Sequence, residues 1–85
     1  MKDTWILGIR ITNRVKEVHE VQTALSKFGC SIRSRLGLHE INDSSCSSCG
    51  LILLELTGDQ NEFMKLENEL LKIEGLEVRK MIFSE

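Results

Sequence analysis

The middle of the chain reads Arg35-Leu-Gly-Leu-His-Glu-Ile-Asn-Asp-Ser-Ser-Cys-Ser-Ser-Cys-Gly-Leu-Ile-Leu-Leu-Glu-Leu56. Its pattern is that of a strand, a polar loop and a second strand. The loop contains Cys46 and Cys49, and His39 lies near the end of the first strand. Thiolate and imidazole are the groups that soft metals and redox chemistry use. The segment therefore supplies two of the predicted strands and the main chemical candidates of the chain.

A strand and a helix are predicted before this segment. In the first strand, over residues 4–11, apolar side chains alternate onto one face: Trp5, Leu7, Ile9 and Ile11. A helix is predicted over residues 14–28 from apolar residues spaced by three or four: Val15, Val18, Val21, Leu25 and Phe28. Thr12 or Asn13 is expected to cap its beginning, and Gly29 to end it with a positive φ.

A helix and a strand are predicted after the segment. Residues 51–56 are an almost continuous apolar run, which is typical of a central strand. Asp59 and Glu62 have the spacing of a capping box, and they begin a helix whose apolar stripe is Phe63, Leu66, Leu70 and Ile73. Gly75 ends this helix, and residues 76–83 form the last strand. The order β-α-β-β-α-β predicts an α+β, ferredoxin-like sandwich in which two helices cover one face of a four-stranded antiparallel sheet.

The uncovered face of that sheet is predicted to be apolar. If Trp5, Leu7 and Ile9 face the helices, then Ile6 faces away, together with Leu51 and Leu53. On the second strand, Ile32, Leu36 and Leu38 are expected on one face and Arg33, Arg35 and His39 on the other. An exposed apolar patch indicates self-association, as a homodimer or homotetramer. No aromatic residue is expected on this face, so RNA binding by base stacking is not expected.

Size and charge restrict the class of protein. A chain of 85 residues is expected to form one domain, spanning residues 1–85. Its 13 acidic and 11 basic residues give a formal charge of −2, whereas proteins that neutralise phosphates are usually basic. Direct nucleic-acid binding is therefore not expected. No apolar run approaches the ~20 residues of a membrane span, and the N-terminal residues lack an apolar signal segment, so we expect a cytoplasmic protein.

The C-x-x-C pair allows three interpretations. Cys46 and Cys49 could be loop thiols without a chemical role, with Cys30 as a small buried residue. They could hold a transition metal together with His39, or they could perform thiol–disulfide chemistry. Their position between the second and third strands differs from that in copper carrier domains of this fold, which have the pair after the first strand.

No catalytic constellation is recognisable in the sequence. A nucleophile with an evident triad, a glycine-rich phosphate loop and paired carboxylates across a cleft are all lacking, so an enzyme is not expected. Arg33 and Arg35 could bind an anionic ligand, or they could pair with Glu55 across the sheet.

Three segments carry a resemblance to a known family: Arg35-Leu-Gly-Leu-His-Glu40, Gly50-Leu-Ile-Leu-Leu-Glu-Leu-Thr-Gly-Asp59 and Gly75-Leu-Glu-Val-Arg-Lys-Met-Ile-Phe83. They resemble small stand-alone ACT-like domains called iron-only hydrogenase system regulators. The resemblance covers nearly the whole chain and implies a regulatory role in anaerobic bacteria. Classical amino-acid-binding ACT domains have a glycine-containing loop after the first strand. The segment Thr12-Asn-Arg14 does not match that loop.

A second resemblance is to the C-terminal domain of nickel-responsive repressors, which has the same order of elements. That pattern has two histidines one residue apart on the second strand and a cysteine six residues later. Here His39 matches the second histidine, Cys46 follows one residue later than the pattern requires, and Gly37 replaces the first histidine. The implied ligand set is incomplete, and the DNA-binding ribbon of the repressors has no counterpart in this sequence.

The sequence as a whole predicts a non-enzymatic, oligomeric regulatory module. A small ligand or metal at a subunit interface would favour one assembly, and a partner protein would recognise that assembly. Two alternatives stay open. The first is a metal or redox sensor that uses Cys46, Cys49 and His39, and the second is a structural adaptor whose open sheet face binds another protein.

Overall fold

A computed structural model describes residues 3–12, 18–39 and 50–84. The elements in this part of the chain follow in the order β1 (Thr4–Ile11), α1 (Val18–Lys27), a single 3-10 turn (Gly29–Ser31), β2 (Ile32–His39), β3 (Gly50–Leu56), α2 (Gln60–Leu71) and β4 (Glu77–Phe83). The predicted βαββαβ order is confirmed. None of the helices in the described ranges is long and apolar enough to cross a membrane.

The four strands form one antiparallel sheet in the order β2-β3-β1-β4. The two central strands, β1 and β3, pair directly with Leu7 opposite Leu54, and β4 pairs on the other side of β1 with Lys80 opposite Leu7. This order places two crossovers over the same face, so the protein has the ferredoxin-like α+β architecture that the element order predicts.

The core lies between the sheet and the two helices. Its strand side comes from alternate residues of β1 and β3, because successive side chains of a strand point to opposite faces. Its helix side comes from the predicted stripe of α2 and from the described part of the predicted α1 stripe, Val21, Leu25 and Phe28; the side chains of Val15 and Val18 are outside the described residues. The buried apolar residues are Trp5, Leu7, Ile9, Ile11, Val21, Ala24, Leu25, Phe28, Ile52, Leu54, Leu56, Phe63, Leu66, Leu70, Ile73 and Val78.

The ends of the helices differ in part from the prediction. Gly29 does not end α1 with a positive φ; it begins the 3-10 turn, whose Ser31 amide donates to the Phe28 carbonyl. The tighter turn satisfies the end of the helix without a left-handed residue, so the prediction for Gly29 was wrong. Gly75, which follows α2, does have a positive φ of 84°. The expected cap of α1 at Thr12 or Asn13 stays a prediction, because residues 13–17, which include Asn13 and the predicted first turn, are outside the described residues.

Strand β2 contains an irregularity that changes which residues share a face. The register with β3 shifts between Ile32 and Ser34. Ile32 consequently packs against the core, whereas Leu36 and Leu38 lie opposite Leu53 and Leu51 on the other face. The prediction that Ile32, Leu36 and Leu38 share one face was therefore wrong, because the extra residue of a bulge reverses the alternation beyond it.

Candidate functional site

The open face of the sheet carries a continuous apolar surface. Ile6, Leu51 and Leu53 lie there as predicted, because each alternates with buried residues of β1 or β3. The full set comes from all four strands, and we call it the apolar band: Leu36 and Leu38 (β2), Leu51 and Leu53 (β3), Ile6 (β1), Met81 and Phe83 (β4).

Five of the seven side chains in the band are exposed, and Ile6 and Leu53 at its centre are half-buried. Leu36 is 53% exposed, Met81 56% and Phe83 57%, and Leu38 and Leu51 are also exposed. A soluble monomer usually presents polar residues on the wet face of an antiparallel sheet. A contiguous apolar surface of this kind is characteristic of an interaction site.

Four members of the band were missed by sequence reasoning. Leu36 and Leu38 have the same parity as the core residue Ile32, so the bulge concealed them. Met81 and Phe83 could have been found, because they lie three and five residues after the buried Val78 and therefore alternate away from it. Phe83 also corrects the expectation that the face has no aromatic residue. This single ring at the edge of the sheet is not a multi-base stacking platform.

Polar residues occupy the two sides of the band. At one side, Arg10 and Arg79 flank Glu77, with nitrogen–oxygen distances of 3.7 and 3.6 Å. At the other side, the Ser34 hydroxyl donates to the Glu55 carboxylate at 3.1 Å. The first group therefore contains two guanidinium groups and one carboxylate, and the second contains one carboxylate.

The predicted soft-metal ligands lie at or beyond the edge of the described structure. Cys46 and Cys49 are outside the described residues, as is the side chain of His39, whose backbone ends β2 opposite Gly50. Within the described ranges no three His, Cys, Asp or Glu side chains cluster as a metal site would require. Cys30 is a free thiol in the 3-10 turn and is exposed, so the expectation that it is buried was wrong. It is separated from His39 by the length of β2, about 25 Å.

The two candidate anion-binding arginines are both exposed, and the structure separates one of them from Glu55. Arg35 lies opposite the buried Leu54, on the helix-covered face, and donates to the Gln22 side chain of α1 at 2.9 Å. Glu55 is on the open face, so an Arg35–Glu55 pair is contradicted. Arg33 falls at the bulge. Binding of an anion by Arg33 and Arg35 stays a prediction.

The outer surface of the helices contains a shallow polar groove of about 430 Å³ between the end of α1 and α2. Lys27 bridges it with a 3.0 Å contact to Glu69, and this hydrogen bond and charge lower the pKa of Glu69. Along α2, the hydrogen bond from Lys65 to Glu62 raises the pKa of Lys65. These four charged side chains are thus paired with one another, and Lys72 adds a further positive charge to the lining of the groove.

The indole Nε1 of Trp5 is buried and lacks a hydrogen-bond partner. It is the one buried side-chain nitrogen or oxygen of this kind in the described residues. The ring packs against Phe63 at 5.4 Å between centroids, and Lys80 Nζ lies 4.9 Å from its centre. Lys80 also contacts Glu67 at 3.0 Å. The lysine thus closes the edge of the core above the indole, and these contacts serve packing.

Comparison with known proteins places the fold. No protein-family profile matches the chain, and no curated protein matches it in sequence. Among solved structures, uncharacterized protein TM1266 from Thermotoga maritima is 24% identical, with a TM-score of 0.79 over 98% of this chain and 100% of that one.

Two further solved structures are more distant. The regulatory subunit of aspartate kinase from Thermus thermophilus is 20% identical over 93% of this chain and 50% of its own length, with a TM-score of 0.53. The protein CPII from Thiomonas intermedia K12, solved with ADP, AMP and acetate, is 10% identical over 100% and 94%, with a TM-score of 0.51. At these identities the similarity concerns the fold alone: the chain has a ferredoxin-like fold with ACT-like and PII-like neighbours.

Proposed function

We propose that this protein is a non-enzymatic regulatory module that self-associates through the open face of its sheet. The observation that carries the proposal is the apolar band, which spans all four strands and is too exposed for a surface that remains in water. Burying apolar area contributes about 25 cal/mol per Å², so covering several leucine side chains is a substantial driving force.

The regulatory part of the proposal is supported by the fold and the sequence resemblance together. Solved structures of this fold include the regulatory subunit of aspartate kinase and the nucleotide-bound CPII. The resemblance to iron-only hydrogenase system regulators extends the proposal to a stand-alone cytoplasmic module that controls a partner protein. A small ligand or metal would change the assembly only as far as it binds one assembly more tightly than another.

The self-association is tested with Leu53→Glu, which places a charge in the centre of the apolar band. The matched control is Met64→Glu, because Met64 is 47% exposed on α2 and lies away from the open face. Light scattering should give a multiple of the 9.7 kDa chain mass for wild type and Met64→Glu, and a monomer for Leu53→Glu. A Leu53→Glu variant with the wild-type mass would refute the interface.

A second candidate function is a metal or redox sensor built on Cys46, Cys49 and His39. The register favours it in one respect: His39 is the cross-strand partner of Gly50, the residue that follows Cys49 in the chain. Elemental analysis of anaerobically purified protein tests this function. We expect stoichiometric metal in wild type and none in Cys46→Ser/Cys49→Ser if the sensor is real; metal-free wild-type protein that still assembles would eliminate it.

A further inference from the structure

Four members of the apolar band form a straight line across the sheet. Each strand contributes one residue, and each step moves one strand across and two residues along. From Leu38 the line passes to Leu53, two residues after its partner Leu51. The partner of Leu53 on β1 is Gly8, and the line continues to Ile6, two residues away from Gly8. The partner of Ile6 on β4 is Met81, and the line ends at Phe83, two residues beyond Met81. We call this line the diagonal.

The direction of the diagonal follows from sheet geometry. Strands are about 4.8 Å apart and two residues span about 6.7 Å, so the diagonal is inclined to the strands by about 35°. The remaining leucines lie on either side of it: Leu36 on one side and Leu51 on the other.

We infer that a second copy of this chain covers the open face, with the two-fold axis of the dimer along the diagonal. This inference rests on the proposed self-association and specifies its geometry. Rotation about an axis in the plane of the interface sets each diagonal residue against its own equivalent and exchanges the two sides of the face. Leu36 then meets the partner's Leu51. The strands of the two copies cross at twice the inclination, about 70°, close to the orthogonal class of sheet packing.

Charge complementarity is the observation that selects a second copy as the occupant. The rotation brings the side with Arg10, Glu77 and Arg79 onto the side with Ser34 and Glu55. Arg79 thereby faces the partner's Glu55. Gly8, the β1 neighbour of Arg79, has no side chain, and the Leu53 side chain borders the space above it, 3.6 Å from where a Cβ atom would stand. A second copy would therefore match the apolar line with an apolar line and each charged side with the side of opposite charge.

The size of the surface also suits a pair of copies. A face of four strands is about 19 Å wide, and seven residues of strand are about 23 Å long. Covering such a face corresponds to the lower end of specific interfaces. We therefore expect a dimer whose population changes with concentration. Each contact away from the diagonal occurs twice in it, because a two-fold interface is isologous.

Charge reversal tests the arrangement. Arg79→Glu places two carboxylates together on both sides of the diagonal, and Glu55→Arg places two guanidinium groups together there. Each variant should raise the dimer Kd by about tenfold or more, because repulsion replaces attraction at two positions.

The informative sample is the equimolar mixture of the two variants. In a mixed dimer the carboxylate introduced by Arg79→Glu faces the guanidinium introduced by Glu55→Arg, and the unchanged Glu55 of the first chain faces the unchanged Arg79 of the second. Both contacts are again between opposite charges, so the mixture should return to within about threefold of the wild-type Kd.

Controls separate this inference from the proposed function. Lys72→Glu makes the same change in net charge as Arg79→Glu, but on the helix side, and it should keep the wild-type Kd. Far-UV circular dichroism verifies that every variant is folded. If Leu53→Glu stays associated, the proposed interface itself fails. If Leu53→Glu is monomeric but the mixture of charge variants does not associate, the sheet face is the interface and the two-fold arrangement about the diagonal is wrong. Single variants that dimerise like wild type would also overturn the arrangement.

Discussion

At the scale of single residues, strand β2 approaches the backbone of position 50 so closely that only glycine fits there without displacement. A Cβ atom built on Gly50 would lie 2.9 Å from the carbonyl oxygen of Leu38, a backbone atom that cannot rotate away. Gly50→Ala should therefore push the ends of β2 and β3 apart and lower the free energy of unfolding by about 1–3 kcal/mol. Urea denaturation measures the change.

Gly37 provides the control for Gly50, since it belongs to the same pair of strands. A Cβ atom on Gly37 would meet nothing within 4 Å. Gly37→Ala should be neutral or should stabilise the strand by up to about 1 kcal/mol, because alanine loses less backbone entropy. Equal destabilisation by both substitutions would show that glycine at position 50 is not needed for steric reasons.

At the scale of elements, the beginning of α2 depends on one carboxylate. The Asp59 side chain accepts a hydrogen bond from the Asn61 amide at 2.9 Å. Glu62, which the capping-box pattern would direct back to the cap, instead contacts Lys65 at 3.0 Å. Asp59→Ala should therefore cost about 1 kcal/mol of unfolding free energy, whereas Asp59→Asn keeps the acceptor and should cost much less. Similar losses in both variants would contradict the capping role.

The contact between α1 and α2 should make stability depend on pH. Lys27 holds the pKa of Glu69 below its ordinary value of 4.5 in the folded protein. The stabilisation is therefore complete above pH 4.5 and is lost as the pH falls through the lowered pKa. The difference in unfolding free energy between wild type and Glu69→Gln should shrink as acid is added below pH 4.5. In a Lys27→Met background the difference should no longer depend on pH; if it still does, another group is responsible.

The same elements show what periodicity can and cannot predict. The stripe of α2 and the alternation in β1 and β3 were predicted correctly, because burial on one side leaves a regular period in the sequence. The bulge in β2 was not predicted, because one extra residue leaves no compositional mark and reverses every later side chain. That reversal concealed Leu36 and Leu38, which are half of the leucines in the apolar band. The end of α1 was also mispredicted, since Gly29 is compatible with either a left-handed cap or a 3-10 turn.

At the scale of the whole molecule, the candidate site is a surface and not a pocket. Sequence reasoning located its centre through Ile6, Leu51 and Leu53, because the sheet has helices on one side only. Its extent depended on the registers of β2 and β4, which join residues distant in sequence. Arg79 and Glu55 could be recognised as charges that flank the band only once their positions on the sheet were known.

Self-association of the whole molecule should also appear in its thermal unfolding. A dimer that dissociates when its chains unfold is stabilised by mass action, so its melting temperature rises with protein concentration. Above the dimer Kd, a hundredfold increase in concentration adds about 1.4 kcal/mol per chain, which corresponds to about 5–10 °C for a domain of this size. Calorimetry should show this rise for wild type and for Met64→Glu. Leu53→Glu should melt at one temperature at every concentration, because its unfolding is unimolecular. A wild-type melting temperature independent of concentration, in a range where light scattering finds a dimer, would mean that association does not stabilise the fold and that the apolar band is not what the dimer buries.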